Sequence, residues 1–173
     1  MGFAKVLGLT LSGNLTWNCH VEKIIAKGNK RMFFIIQLKR AGIPVDVIVT
    51  FYCTCFRPVL EYCSPVFQHG LPKYLSDDIE GVQKQALKII SPSMSYIDNL
   101  TRFNLQSLKA RREDHCSRLF STVLSDQTHK LRALLPPVNN SHYNVQTKRP
   151  FQRFVSKTNR FNNTFLPAMC NNF

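Results

Sequence analysis

The sequence predicts a mainly α-helical protein: a helical bundle with one short N-terminal β-strand and an irregular, basic C-terminal tail. Three observations lead to this fold class. Apolar residues alternate with small or polar ones over 3–12, which is typical of a strand. From about residue 18 the apolar spacing changes to that of a helix. After residue 135 a Pro- and Asn-rich stretch and interleaved Phe and basic residues follow, which predict a linker and a loosely held tail.

We predict the first helix over about 18–40. Its apolar face contains Val21, Ile24, Ile25, Gly28, Met32, Ile35 and Ile36. Pro44 is expected at the first position of the next helix, which is apolar almost all round and is therefore predicted to be central. Pro58 should kink this helix, and Pro65 should end or disturb it.

The stretch KYLSDDIEG contains an aspartate pair, Asp77 and Asp78. Enzymes that join nucleotides with two metal ions hold those ions with aspartates, often adjacent, between apolar strands. Here the following apolar residues keep helical spacing, and no apolar strand comes after the pair. We therefore predict that Asp77 is a helix N-cap and forms a capping box with Glu80.

Two further helices are expected. A short helix and a turn fall within residues 95–108, and a longer helix follows within 107–126. The longer helix should bury Leu108, Leu119, Phe120 and Val123. Asp114 and Arg118 stand four residues apart, so they should pair on its surface.

The charge of the chain is strongly positive. There are 23 Lys and Arg against 10 Asp and Glu, which gives a net charge of +13, and no acid follows Asp126. Such a balance predicts an anionic partner, and RNA and/or DNA are the commonest ones. The alternative is a basic surface that contacts only solvent.

Two basic stretches carry the predicted nucleic-acid-binding residues. One is a stripe on the helix 18–40, and the other is the tail, where Phe residues interleave with cations as they do in sites that stack bases. Neither has a spacing that reads bases, so binding should follow backbone and shape. The predicted residues are Lys23, Lys27, Lys30, Arg31, Lys148, Arg149, Arg153, Lys157 and Arg160.

No catalytic residue, metal site or cofactor is predicted. The spacing of Cys53, Cys55, Cys63 and His69 matches no zinc pattern, and buried apolar thiols are the better interpretation. His20 and Glu22 resemble the start of an iron-binding triad, but no strand framework follows. The phosphate-binding loops and the nucleophile elbow are missing from the sequence.

The sequence predicts an intracellular location, nuclear or cytoplasmic, and no secretion. Six Cys without a secretory signal are typical of reduced thiols. The longest apolar run, residues 47–56, is too short to span a bilayer, so no membrane partner is expected.

Several stretches, taken together and in order, resemble one family. They are KVLGLTLSGNLTWNCHVEK, RPVLEYCSPVFQHGLPKYL, SLKARREDHCSRLF and KTNRFNNTFLPAMCNNF. They are similar to the C-terminal part of a reverse transcriptase from a non-LTR retrotransposon of the LINE type, jockey- or CR1-like. The resemblance implies a remnant palm strand and turn over 1–17, a helical thumb-like domain over 18–135 that holds the template–primer duplex, and a basic, Phe-rich linker and tail over 136–173.

The resemblance also implies that the chain is not an enzyme. The family's catalytic motif, Phe/Tyr-Ala-Asp-Asp, lies upstream of the matching region, and YLSDD is a chance echo of it. The expected function is that of a catalytically inactive fragment that binds template–primer RNA or DNA without sequence preference. Two alternatives stay open. One is the product of a decayed element with no selected function. The other is an oxygenase or methyltransferase-associated domain, because the N-terminal stretch also resembles a region labelled as the N-terminal domain of an AlkB-type homologue.

Overall fold

The computed structural model describes residues 2–14, 16–138, 150–154 and 158–172. Within them the chain is mainly helical and starts with a two-stranded antiparallel sheet, so the predicted fold class is confirmed. The strands and α-helices are β1 (Phe3–Val6), β2 (Leu9–Ser12), α1 (Asn18–Arg40), α2 (Val45–Phe51), α3 (Arg57–Glu61), α4 (Ser64–Phe67), α5 (Lys73–Ile90), α6 (Tyr96–Arg102), α7 (Leu108–Ser125), α8 (Asn159–Asn162) and α9 (Phe165–Asn172). A π-helical turn, Tyr52–Phe56, joins α2 to α3, and 3-10 turns lie at Gln68–Gly70 and Lys130–Leu134.

Residues 3–12 form a hairpin, so the prediction of a single strand there is wrong. β1 and β2 pair with Phe3 opposite Ser12 and Val6 opposite Leu9. The turn consists of Leu7 and Gly8, with φ of +45° and +87°, and a two-residue hairpin turn of this kind needs positive φ at both positions. All of β1 is exposed, whereas β2 is buried except at one half-buried residue.

Helix α1 has the predicted bounds and most of the predicted buried face, although Ile25 and Ile36 are only half-buried. Lys39 and Arg40 lie in its last turn, where cations suit the helix dipole, and the Lys39 ammonium also donates to the carbonyl of Ile89. The buried residues of α1 are His20, Val21, Ile24, Gly28, Met32 and Ile35. The cations of the helix are therefore left on its exposed side.

The segment after Pro44 is a broken helix with one buried face. α2 begins at Val45, so Pro44 is its N-cap residue and lies one position before the predicted one. The π turn ends just before Pro58, whose missing N–H removes a regular helical hydrogen bond and thereby explains the predicted disturbance. The residues buried at four-residue spacing are Ile48, Tyr52, Phe56 and Leu60. Val45 and Val47 are exposed, so the segment buries only one face and the prediction of a central helix is wrong.

The chain also breaks before Pro65, as predicted. α3 ends at Glu61, and Cys63 adopts a φ of +55° before α4 begins at Ser64.

The predicted N-cap at Asp77 is wrong. α5 begins at Lys73 with Pro72 as its cap residue, so Asp77 and Asp78 lie inside the helix, and both are exposed. The Glu80 carboxylate does not fold back on Asp77. It accepts hydrogen bonds from the backbone N–H groups of Leu108 and Lys109, at 3.2 and 3.1 Å, and thus caps the first turn of α7.

Cα packing divides the chain into two compact units. The first contains Met1–Cys63 and Leu71–Arg111, and the second contains Ser64–Gly70 and Arg112–Phe173. The predicted division after residues 17 and 135 separates parts by function and ancestry, and it stays a prediction. The two packing units have different boundaries.

The core of the first unit lies where α1 packs against α5. A polar network beside this core begins at the buried Tyr52 and Gln83 and ends at the half-buried Tyr96 and the exposed Gln106. The Tyr52 hydroxyl donates to the side-chain oxygen of Gln83, and the Gln83 amide donates to the Tyr96 hydroxyl at 2.8 Å and to the Gln106 carbonyl at 3.1 Å. Burial raises the pKa of both tyrosines. They therefore stay protonated and act as neutral donors.

The core of the second unit joins α7 to the tail. Cys116, Phe120, Met169 and Cys170 are buried together, and Phe151, Phe154 and Phe165 pack against them with other partly buried residues. Phe side chains thus dock these residues of the tail onto α7. The tail also contains α8 and α9, so the prediction of irregular structure is wrong for those residues.

Helix α7 confirms most of its predicted features. Leu108, Phe120 and Val123 are buried, whereas Leu119 is half-buried. Asp114 and Arg118 form the predicted surface pair, with 2.8 Å between Oδ2 and Nη2. The burial of Arg112 in this helix was not predicted. Arg112 is fully buried, and its Nε donates to the side-chain oxygen of Gln68 at 2.7 Å.

Candidate nucleic-acid interface

A groove of about 660 Å³ lies in the first unit, bounded by α1, the β1–β2 turn and the residues around α3. No residue that lines it within the described parts of the chain is acidic. The lining residues are Gly8, His20, Ile24, Lys27, Lys30, Arg31, Pro58, Val59 and Tyr62. A groove with several cations and no carboxylate has a positive potential that attracts anions.

Close packing at Gly28 positions one wall of the groove against the other. A Cβ atom added to Gly28 would lie 3.0 Å from Cδ2 of Leu60 and 3.3 Å from Cγ1 of Val82. Only a glycine therefore lets α1 approach its neighbours this closely. Leu60 lies within two residues of Pro58, Val59 and Tyr62, so the contact also fixes the far wall of the groove.

The structure brings three of the four predicted cations of α1 together. Lys27, Lys30 and Arg31 line the groove and are exposed. The Arg31 guanidinium also donates to the carbonyl of Cys55, within the π turn. Lys23 is exposed but does not line the groove, and its ammonium donates to the Thr10 hydroxyl at 3.1 Å. The predicted stripe is thus a wall of the groove from Lys27 onwards.

His20 lies at the base of the groove, and its side chain is buried. Its Nδ1 accepts from the backbone N–H of Thr10 at 3.4 Å. Burial lowers the pKa of His20, and the charges of Lys27 and Lys23 lower it further. The imidazole is therefore neutral at pH 7, and the positive potential of the groove comes from lysine and arginine.

Tyr62 is a groove residue that sequence reasoning missed. Its side chain is 50% exposed, and its hydroxyl donates to the carbonyl of Leu7 at 2.8 Å. Its ring lies against Gly8, where an added Cβ would be 3.2 Å from ring atom Cε1. Since Leu7 and Tyr62 are 55 residues apart, no local pattern predicts this contact.

Phe34 was also missed, although helical spacing places it on the same face as the cations. It follows Lys30 by four residues and Lys27 by seven. It is 54% exposed, and Phe33 beside it is 57% exposed. The two rings meet edge to face with centroids 5.8 Å apart, and Phe51 lies 6.5 Å from Phe34.

The predicted tail residues are placed only in part. Arg153 is exposed, and Arg160 is exposed within α8, both in the second unit. Lys148, Arg149 and Lys157 lie outside the described residues. Nucleic-acid binding by these residues of the tail stays a prediction.

The other candidate sites gain no support from the geometry. Glu22 is exposed whereas His20 is buried, so the two side chains do not share a site. Within the described ranges, no three His, Cys, Asp or Glu side chains come close enough to hold a metal ion. No helix among those residues has the length and apolarity needed to cross a bilayer.

The cysteines differ in their surroundings. Cys116 and Cys170 are buried, and burial raises the pKa of Cys116 to about 11. Of the three cysteines predicted to be buried, Cys53 and Cys63 are half-buried and Cys55 is exposed, so the prediction is wrong.

Comparison of the chain with family models, with curated proteins and with solved structures finds no match. The functional argument therefore depends on the groove and on the sequence motifs that resemble non-LTR reverse transcriptases.

Proposed function

We propose that the first unit binds RNA or DNA through its basic groove without reading base sequence, and that the chain is a catalytically inactive fragment of a non-LTR reverse transcriptase. The observation that carries the proposal is the convergence of Lys27, Lys30 and Arg31 on one groove with no acid in its lining. The motifs quoted above support the same function, because the resembling region holds template and primer in that family.

Phosphate contacts explain why this chemistry suits nucleic acid. Lysine and arginine that neutralise phosphates release condensed counterions, and each contact steepens the salt dependence of binding. Such contacts position a backbone and carry no base information. A planar guanidinium, as in Arg31, also matches the geometry of a phosphate better than an ammonium does.

The test measures affinity for a labelled oligonucleotide as a function of salt concentration. The triple variant Lys27→Ala/Lys30→Ala/Arg31→Ala should lower the slope of log K against log salt by about 2 to 3, at about 0.7 per phosphate for single strands and about 0.9 for duplex. Adding Lys23→Ala to this variant completes the predicted stripe, and it should change the slope less than any of the other three.

A matched control removes the same charge elsewhere in the first unit. Arg40→Ala/Lys73→Ala/Lys88→Ala also removes two lysines and one arginine, all exposed and none in the groove lining. It should lower the slope by less than 1. Equal slopes for the two triple variants would refute the proposal that nucleic acid binds in the groove. Binding would then depend only on the overall positive charge.

One observation favours the alternative of a decayed product. All four residues of β1 are exposed, and Phe3, Val6 and Leu7 are 57%, 49% and 85% exposed. An apolar surface of this kind is typical of a face that another part of a protein once covered. This alternative expects aggregation or non-cooperative unfolding of the purified chain, together with no salt-dependent binding. Cooperative unfolding followed by Trp17 fluorescence, together with the expected slope, would reject it.

Sequencing the full transcript distinguishes a part of an intact polymerase from the remnant of a decayed one. An in-frame segment upstream of Met1 with an aspartate pair between apolar strands would make the chain the thumb of an intact polymerase. The lack of such a frame would leave a remnant whose binding must be shown by itself.

A further inference from the structure

Two exposed aromatic rings accompany the basic wall. Tyr62 lines the groove and lies against the β1–β2 turn, and Phe34 follows Lys30 by four residues on the same face of α1. From Lys27 to Phe34 the helix rises about 10.5 Å, at ~1.5 Å per residue. The cations of the groove thus have one aromatic ring within the lining and another one helical turn beyond Lys30.

Both rings are held in place although about half of each is exposed. The Tyr62 hydroxyl is bonded to Leu7, and its ring rests against Gly8. Phe34 is braced by Phe33 and Phe51. A fixed ring loses little conformational entropy when a planar group stacks on it, so these rings are prepared for stacking.

This arrangement distinguishes single strands from duplexes. Single-strand sites combine a basic path for the backbone with aromatic rings that stack unpaired bases. In a duplex the base faces are already stacked on one another, so a ring gains nothing, and only phosphates remain to be bound. A groove of about 660 Å³ also has the size of pockets for small ligands, which suits a few nucleotides of one strand.

We propose that the groove selects single-stranded nucleic acid over duplex, with phosphates along Lys27, Lys30 and Arg31 and unpaired bases stacked on Tyr62 and Phe34. The inference rests on the proposed function, since it names the form of nucleic acid that the same groove takes. It departs from the resemblance, which implies a template–primer duplex, because exposed rings favour unpaired bases. It assigns a role to two residues that the charge pattern does not include.

The experiment compares the full chain's affinity for an oligothymidine of about 12 nucleotides, within the ~4–16 nucleotide range of single-strand sites, with its affinity for a duplex of equal length. The wild type should bind the single strand at least about fivefold more tightly, the effect of one weakly stacked base. Tyr62→Ala and Phe34→Ala should each remove about this factor and leave duplex binding unchanged.

Conservative and control variants separate stacking from folding. Tyr62→Phe keeps the ring and loses the hydrogen bond to Leu7, so it should retain the single-strand preference. Tyr74 is also half-exposed and hydrogen-bonded, to Asn18 at 3.0 Å, but it lies on α5, outside the groove lining and away from the helix face that carries Lys27, Lys30 and Phe34. Tyr74→Ala should therefore change neither affinity. Trp17 fluorescence during urea unfolding verifies that each variant is folded.

The two proposals fail in different ways. Equal binding of single strand and duplex by the wild type, or an unchanged preference in both Tyr62→Ala and Phe34→Ala, would overturn the inference while the salt slope still supports the basic groove. If the groove triple variant keeps the wild-type slope, the proposed function fails. Ring-dependent binding that persists without those cations would overturn the inference as well, because the bases would then stack on a surface separate from the phosphate path.

Discussion

Replacing Glu61 or Arg111 by methionine should destabilise the first unit by about 3 kcal/mol. Glu61 is buried, with 7% of its surface exposed. Its two carboxylate oxygens accept from Nε and Nη2 of Arg111 at 2.5 and 3.2 Å, and Nε of Arg57 lies 3.9 Å away. Two hydrogen bonds between charged groups are worth about 1.5 kcal/mol each, and removing one partner of a buried pair costs about 3–5 kcal/mol.

The double variant tests the reasoning behind this magnitude. Methionine preserves most of the volume of either side chain, and a buried pair replaced on both sides by apolar groups loses little stability. We therefore expect Glu61→Met/Arg111→Met to lose about 3 kcal/mol or less, not the ~6 kcal/mol that independent effects would sum to. Urea unfolding followed by the fluorescence of Trp17, the single tryptophan, reports on the first unit.

A surface pair supplies the matched comparison. Asp114 and Arg118 are 2.8 Å apart, but their side chains are 36% and 77% exposed. Exposed pairs four residues apart on a helix contribute about 0.3–0.5 kcal/mol, so the cycle of Asp114→Ala and Arg118→Ala should give a coupling within that range. The reasoning is refuted if Glu61 and Arg111 show a coupling as small as this exposed pair, or if their double variant loses the full sum.

Two other perturbations test the packing beside the groove. Gly28→Val should cost about 1–3 kcal/mol, because a Cβ at Gly28 already meets Leu60 at 3.0 Å and Val82 at 3.3 Å; the urea midpoint measures the loss. His20 has a lowered pKa, so the unfolded chain takes up a proton that the folded chain does not, and stability that is present above about pH 6.5 is lost as the pH falls through the folded pKa. His20→Asn keeps an acceptor for the N–H of Thr10 without titrating, so its unfolding midpoint should change less between about pH 7.5 and about pH 5.

Helical periodicity was sufficient to predict α1 and its basic side. The apolar residues Ile24, Met32 and Ile35 determine which face is buried, and the positions of Lys27 and Lys30 follow from the same spacing. The opposite wall of the groove comes from residues some 30 positions later in the chain. Its place depends on the contact of Leu60 with Gly28, and periodicity within one helix carries no information about such a contact.

Two of the local errors have identifiable causes. The alternation over 3–12 continues across the turn, because a two-residue turn preserves the period, and only the positive φ of Leu7 and Gly8 reverses the chain. Asp77 stands three residues before Glu80, which is the spacing of a capping box, and this spacing led to the wrong N-cap prediction. Leu75, four residues before Ile79, extends the apolar spacing upstream and indicates that the helix has already begun.

The shape of the groove depends on a residue that does not line it. Lys27, Lys30 and Arg31 can be removed without disturbing the core, because all three are exposed. Gly28, between them, is buried and sets the approach of Leu60, whose sequence neighbours form the other wall. A bulkier residue there must move that wall and Tyr62 with it. Gly28→Val should therefore weaken single-strand binding although it changes no charge, whereas the lysine variants should weaken binding with little loss of stability.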